Sequence, residues 1–247
     1  MKAEPLAQQA LLELQAKDSA LAHLTHRRGA LPEHAEIAAV DARIRELDGR
    51  RIEVQTRVSD LERAAAKADA EVELVKTRRT RDEERLSSGA VKNPKDLTSL
   101  QSELEALARR IGTLEDDEIE IMEQLEVAQG ELSELVTALE GENATRDTLI
   151  AARDEKIAVL DAEAAEAAAG REAVLPKVPE DLLTLYKKVA TTQNGLGAAA
   201  LRARRCEGCH LELNGADLRE LQAEPEDAVL RCPECSRILV RTSESSD

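Results

Sequence analysis

The chain has 247 residues, 42% of them hydrophobic, with one tyrosine, no phenylalanine or tryptophan, and a net charge of −16. Aromatic side chains dominate burial in ordinary cores, so this composition excludes most enzyme folds of the same length. A chain that is 34% charged and rich in Ala, Glu, Leu and Arg reads instead as long helix or coiled coil.

The first predicted element is a helix over 4–28, with Leu11, Leu14, Leu21 and Leu24 on it and a break near 29–32, between Gly29 and Pro32. From Pro32 onward apolar residues recur at alternating steps of three and four: Ile37, Val40, Ile44, Leu47, then Val54, Val58 and Leu61, and on to Val72 and Val75. Only Arg51 interrupts this heptad seam. A second seam runs from Leu97, Leu100 and Leu104 to Leu132, Leu135 and Leu139, interrupted only by Glu118. Between them, near 87–95, Gly89 can end one helix in the left-handed conformation, while Asn93 and Pro94 can begin the next. A short turn makes the helices antiparallel neighbours. The register agrees, because pairs such as Val72 with Ile111, Val58 with Leu125 and Leu47 with Leu135 sum to 182 or 183.

Helix two is predicted to run to about Gly170, before Pro176 and Pro179. Its distal part is rich in alanine, so the 4–28 segment is expected to fold back on it with close backbones. The seam slips by four twice at Leu149, Arg153 and Ile157, a stutter that unwinds the supercoil locally. The expected division is therefore a hairpin over 1–175 and a short helix plus a small β module over 176–247. A self-satisfied seam with a movable N-terminal segment leaves oligomerisation possible.

Charge is unevenly placed. Residues 76–95 carry seven bases against three acids, whereas 96–175 carry 21 acids against six bases. The acidic stretch from Glu115 to Glu142 reads as a solvated helix face or as a dock for a basic partner. The tip residues, among them Arg78, Arg79, Arg81, Arg85, Lys92 and Lys95, read as solvated charge or as a contact for phosphate or an acidic partner.

The four cysteines fall as CEGC at 206–209 and CPEC at 232–235. Each pair can wrap one side of a metal, and together Cys206, Cys209, Cys232 and Cys235 make a tetrahedral thiolate site for one structural Zn²⁺. Gly208 and Pro233 suit such knuckles. Four protein ligands leave no position for a reactive water. A rubredoxin-like iron site lacks its aromatic core here, a redox pair lacks a βαβ setting, and disulfides need an oxidising compartment. His210 reads as solvated, and His23, His26 and His34 as scattered surface residues. A tail of ~50 residues without an aromatic core needs the metal as a staple, and it is expected to melt separately from the helices. Short strands are predicted over 197–204, 229–231 and 237–241. Arg202, Arg204, Arg205, Arg237 and Arg241 could gather there as a basic patch, or serve only for solubility.

No apolar run of about 18 residues marks a membrane span, and no basic-then-apolar start marks a secretory signal, so a cytoplasmic chain is expected. Catalysis is not expected, nor is a small-molecule substrate. There is no nucleophile–base set, NGLG at 194–197 is too short to cradle phosphate, and the metal site is closed.

These residues resemble a bacterial family of long coiled-coil helical hairpins ending in a C4-type zinc ribbon. The resemblance rests on VKNPKDLTSLQSE at 91–103, CEGC, and CPECSRIL at 232–239. The family's tip motif is matched by Val91, Asn93, Lys95, Leu97 and Leu100, with Asp96 for its usual Glu. At the ribbon's end Ser236 stands for a usual Gly and Val240 for a Tyr. The resemblance implies a mainly α fold, a long antiparallel coiled-coil hairpin with a small C-terminal β zinc ribbon. It also implies a nucleic-acid-binding or regulatory adaptor. On that reading Arg202, Arg204, Arg205, Arg237 and Arg241 on the ribbon, with Lys92, Asn93 and Lys95 at the tip roughly 100 Å away along the helices, contact nucleic acid or a protein of the gene-expression machinery. A protein-only scaffold with purely structural zinc is the alternative.

Overall fold

The computed structural model describes residues 1–243 and 245. Its elements are α1 (Pro5–Gly29), α2 (Pro32–Ser87), α3 (Pro94–Val174), a 3-10 turn (Leu175–Lys177), α4 (Glu180–Thr192), β1 (Ala198–Arg202), β2 (Arg205–Cys206), α5 (Gly215–Ala223), β3 (Leu230–Arg231) and β4 (Ile238–Arg241). Two compact units result. One joins Met1–Ala35 to 150–247, and the other is Glu36–Leu149.

Unit 36–149 is the coiled coil. Its core is the seam itself: Val54, Val58, Ala128 and Leu135 are buried, and Leu47, Leu61, Leu125 and Leu132 pack around them. The turn works through local chemistry. Gly89 takes φ 68° after α2, and the Asn93 side chain accepts the Lys95 N–H at 3.1 Å, capping α3 ahead of Pro94. Asp82 departs from expectation. It is one of the three acids of the tip segment 76–95, yet it continues the α2 seam and is only 3% exposed. Arg78 and Arg85 of its own helix stand 3.9 and 3.6 Å from its carboxylate.

The other unit is built around α1. Leu24, Leu160 and Ala167 are buried together with Ala20, Leu21 and Ala164 against them, so the alanine-rich stretch of α3 does admit α1 closely. Tyr186, the single aromatic residue, is buried on α4. Its hydroxyl donates to Asp18 Oδ2 at 2.7 Å, and Arg171 Nε donates to Asp18 Oδ1 at 2.6 Å. Burial first, and the Asp18 bond second, push the phenol well above its usual range. One carboxylate thus ties α1 to α3 and α4.

The small sheet has the order β2-β1-β4-β3. β1 runs parallel to β4, with Ala198 opposite Ile238 and Leu201 opposite Arg241, while β1–β2 and β3–β4 are antiparallel. The strand predicted over 197–204 is shorter, because Ala203 and Arg204 turn the chain with φ of 41° and 65°. Helix α5 was not foreseen; Asn214 caps it by accepting the Ala216 and Asp217 N–H groups at 3.0 and 2.9 Å.

Among the described residues no helix is long and apolar enough to cross a membrane.

Candidate metal centre and basic surfaces

The two Cys-x-x-Cys segments form matched knuckles. Cys206 O accepts the His210 N–H at 2.8 Å, and Cys232 O accepts the Ser236 N–H at 2.8 Å. Each turn closes on a residue at positive φ, His210 at 58° and Ser236 at 60°. The knuckle strain therefore falls on the residue after each second cysteine. Gly208 matters for another reason: a Cβ there would stand 2.7 Å from Arg237 Cδ and 3.0 Å from Ala199 Cβ. Because glycine populates positive φ without penalty, Ser236→Gly is expected to stabilise the zinc-loaded protein by about 1 kcal/mol, seen as a higher melting temperature.

The four sulfurs all lie within 4.8 Å of one another. Cys206 Sγ is 3.9 Å from Cys235 Sγ, and Cys209 Sγ is 3.9 Å from Cys232 Sγ. A tetrahedral zinc with Zn–S bonds of about 2.3 Å sets sulfurs about 3.8 Å apart, so the donor set fits one structural Zn²⁺. The thiols are unequal without it. Burial pushes Cys206 up, and burial with Cys235 and Cys206 nearby pushes Cys232 up to about 12. Cys235 is brought down to about 7: burial opposes ionisation, but hydrogen bonds from the Arg237 main chain and side chain, together with those of Cys232 and Cys209, outweigh it. Arg237 thus sits beside a ligand rather than facing outward.

The candidate basic residues divide by what they hold. Arg237 Nε donates to Leu196 O at 2.9 Å and its Nη2 lies 3.4 Å from Gln193 O. Arg241 closes the end of α5, donating to Leu221 O at 2.7 Å and Glu224 O at 2.8 Å. Both guanidiniums are occupied with main-chain carbonyls. Arg205 Nε donates to His210 O at 3.0 Å, and Arg204 lies 3.7 Å from Glu212. Arg202 is exposed on β1. At the tip Arg78 pairs with Glu103, and Arg79 pairs with Glu83 at 2.8 Å. Lys92 and Lys95 are exposed, with no ion-pair partner among the described residues.

Sequence reasoning missed two buried glutamines. Gln8 Nε2 donates to Ala3 O at 2.8 Å and reaches Glu226 O at 3.2 Å. Gln15 Oε1 accepts the Gly197 and Ala198 N–H groups at 2.7 and 3.2 Å. Beside them Ala3 N–H bonds Asp227 O at 2.8 Å and Val229 N–H bonds Met1 O at 3.1 Å, so the first residues run along the ribbon. A lone Gln in a helix carries no sequence signal for such a role.

Fold and site together define a coiled-coil helical hairpin protein with a closed four-cysteine zinc ribbon. Residues 14–194 match the CT398-like coiled coil hairpin domain and residues 205–239 the C4-type zinc ribbon domain, and the chain belongs to the CT398-like coiled-coil hairpin family. It is 32% identical over 241 residues to an uncharacterized protein of Mycobacterium tuberculosis, covering 98% of both chains. An uncharacterized protein of Mycobacterium leprae is 26% identical over 225 residues, covering 90% of this chain and 94% of the relative. A solved structure from Mycobacterium smegmatis superposes with TM-score 0.85 at 32% identity, covering 98% of this chain and 100% of that one. The structure of CT398 from Chlamydia trachomatis superposes with TM-score 0.70 at 19% identity, covering 96% and 98%, and shares the fold.

Proposed function

We propose that this chain is a non-enzymatic cytoplasmic adaptor that grips nucleic acid, or a nucleic-acid-bearing component of the gene-expression machinery, at the hairpin tip. The observation that carries the reading is the state of Lys92 and Lys95. Both are exposed and without acidic partners among the described residues, and they flank the capped start of α3, where the helix dipole favours phosphate. The ribbon contributes less to this reading than the sequence suggested, since Arg237 and Arg241 hold the ribbon's own main chain. With a single buried tyrosine there is no stacking platform for bases, so binding should be salt-sensitive and weakly sequence-specific.

Polarisation binding of zinc-loaded protein to a mixed RNA and DNA pool over a salt series tests this. Wild type should bind at low salt and release as salt rises. The Lys92→Ala/Lys95→Ala variant should bind roughly tenfold more weakly, and Arg204→Ala/Arg205→Ala should change little. Absence of binding at the lowest salt would overturn the reading, and a loss confined to Arg204→Ala/Arg205→Ala would move the contact to the ribbon.

A further inference from the structure

The two zinc knuckles are built alike beyond their cysteines. Arg stands directly before the first cysteine of each, as Arg205 before Cys206 and Arg231 before Cys232. In each knuckle the first cysteine's N–H bonds the carbonyl five residues on, Cys206 N–H to Leu211 O at 3.1 Å and Cys232 N–H to Arg237 O at 2.9 Å. Each arginine then turns back over its own knuckle, to the carbonyl of the residue after the second cysteine. Arg205 Nε donates to His210 O at 3.0 Å. Arg231 Nε donates to Ser236 O at 2.9 Å, with Nη2 on the same oxygen. His210 and Ser236 are the residues at positive φ. The pattern Arg-Cys-x-x-Cys-x therefore occurs twice with the same bonds.

The choice of acceptor is informative. Arg205 and Arg231 have no carboxylate partner among the described residues, although Glu207 and Glu234 lie within the knuckles they close. Other arginines of the ribbon are engaged elsewhere: Arg204 faces Glu212 at 3.7 Å, and Arg241 holds the end of α5. Four thiolates around one Zn²⁺ leave the centre negative, and Glu207 and Glu234 add to that charge. A guanidinium bonded to a carboxylate is neutralised. One bonded to a carbonyl keeps its charge for what lies near, here the thiolates next to it in the chain.

We infer that Arg205 and Arg231 are positioning residues of the zinc centre. Each pins the carbonyl of its strained residue, which keeps the knuckle shut around the metal. Each also sets a positive charge beside sulfurs that ligate only as thiolates. They act through the knuckle and make no bond to the metal. Each clamp is confined to its own segment, so the two act separately. This role differs from the phosphate contact that the sequence suggested for Arg205, and it does not depend on the nucleic-acid reading of the tip.

Zinc release from the full chain into excess chromophoric chelator tests this. Arg205→Gln and Arg231→Gln should each release zinc at least about threefold faster than wild type, and the double variant at least about tenfold faster, as exposed charge-assisted hydrogen bonds allow. Arg204→Gln removes the same charge from the adjacent residue but no knuckle bond, and it should change release less than about twofold. Wild-type release should quicken with salt. The glutamine variants should show less of that dependence, and Arg231→Lys should restore it with part of the rate. A purely structural contact would leave the salt dependence unmoved. Co²⁺-loaded variants should keep the wild-type thiolate absorption bands, the signature of four sulfurs still bound. Wild-type release rates in both glutamine variants, or an equal effect of Arg204→Gln, would overturn the proposal. So would weakened Co²⁺ bands, which would make the arginines part of the ribbon's folding rather than of its closed centre.

Discussion

Stripping zinc, or replacing Cys232 by serine, is expected to unfold β1 to β4 with α5 and to loosen the start of α1, while the 36–149 coiled coil stays helical. The ribbon's own cluster holds Ala199, Leu201, Leu213, Leu230 and Leu239 around Cys206 and Cys232, a core without a single aromatic ring. Structural zinc is worth about 10–16 kcal/mol of apparent binding free energy at neutral pH, as much as the whole stability of an ordinary domain. The ribbon is not packed alone, so its loss should reach α1 and α4. Ala198, Ile238 and Val240 are buried in one cluster with Leu11, Leu14, Leu182 and Tyr186 of α1 and α4. Circular dichroism of the apo protein should show an early transition of small helical amplitude, followed by a late one for the coiled coil. An apo melting curve identical to that of the zinc-loaded protein would refute this. The sign with pH follows from the thiols. Zinc must displace protons from Cys206 and Cys232, both raised above the ordinary thiol range. In the zinc-loaded protein the ribbon's transition should therefore move down as pH falls, with zinc affinity dropping roughly tenfold per displaced proton per pH unit.

What could be read in the sequence was whatever repeats. The seam from Ile37 to Leu139 appears in a period of three and four residues, and its register fixes which residues meet, so the cluster of Val54, Val58, Ala128 and Leu135 was legible before any coordinates. The zinc ligands were legible for the same reason, since two Cys-x-x-Cys pairs are a spacing with one favoured chemistry. Single residues whose neighbours lie far along the chain were not legible. Asp82 reads as one more acid of a charged tip, and only the fold puts it in the seam. Arg237 and Arg241 read as a surface patch, because nothing local announces that carbonyls of Leu196 and Leu221 will receive them. The usual glycine at Ser236 became intelligible only once its φ of 60° was known.

Gln15→Leu is the second change of large expected effect, and it probes the joint between α1 and the ribbon. The Gln15 amide satisfies several groups at once. Its Oε1 accepts from Gly197 N–H at 2.7 Å and Ala198 N–H at 3.2 Å, while its Nε2 donates to Gly195 O at 3.1 Å and Ser19 Oγ at 2.9 Å. Gly197 has no freedom to retreat, because a Cβ there would stand 2.7 Å from both the Tyr186 ring and the Tyr186 carbonyl. Leucine matches glutamine in volume and keeps the packing, but it leaves two buried N–H groups without an acceptor. Each such loss costs about 1–3 kcal/mol, so the zinc-saturated protein should lose roughly 2–5 kcal/mol in denaturant unfolding of this unit. Gln15→Glu keeps the acceptor and surrenders only the donor, and it should recover part of the loss. Hydrogen exchange at the Gly197 and Ala198 amides provides the specific readout. Both should exchange faster in Gln15→Leu and near the wild-type rate in Gln15→Glu. If Gln15→Leu were as stable as wild type with unchanged exchange at these two amides, the anchoring of α1 to β1 would rest on Leu11 and Leu14 packing alone.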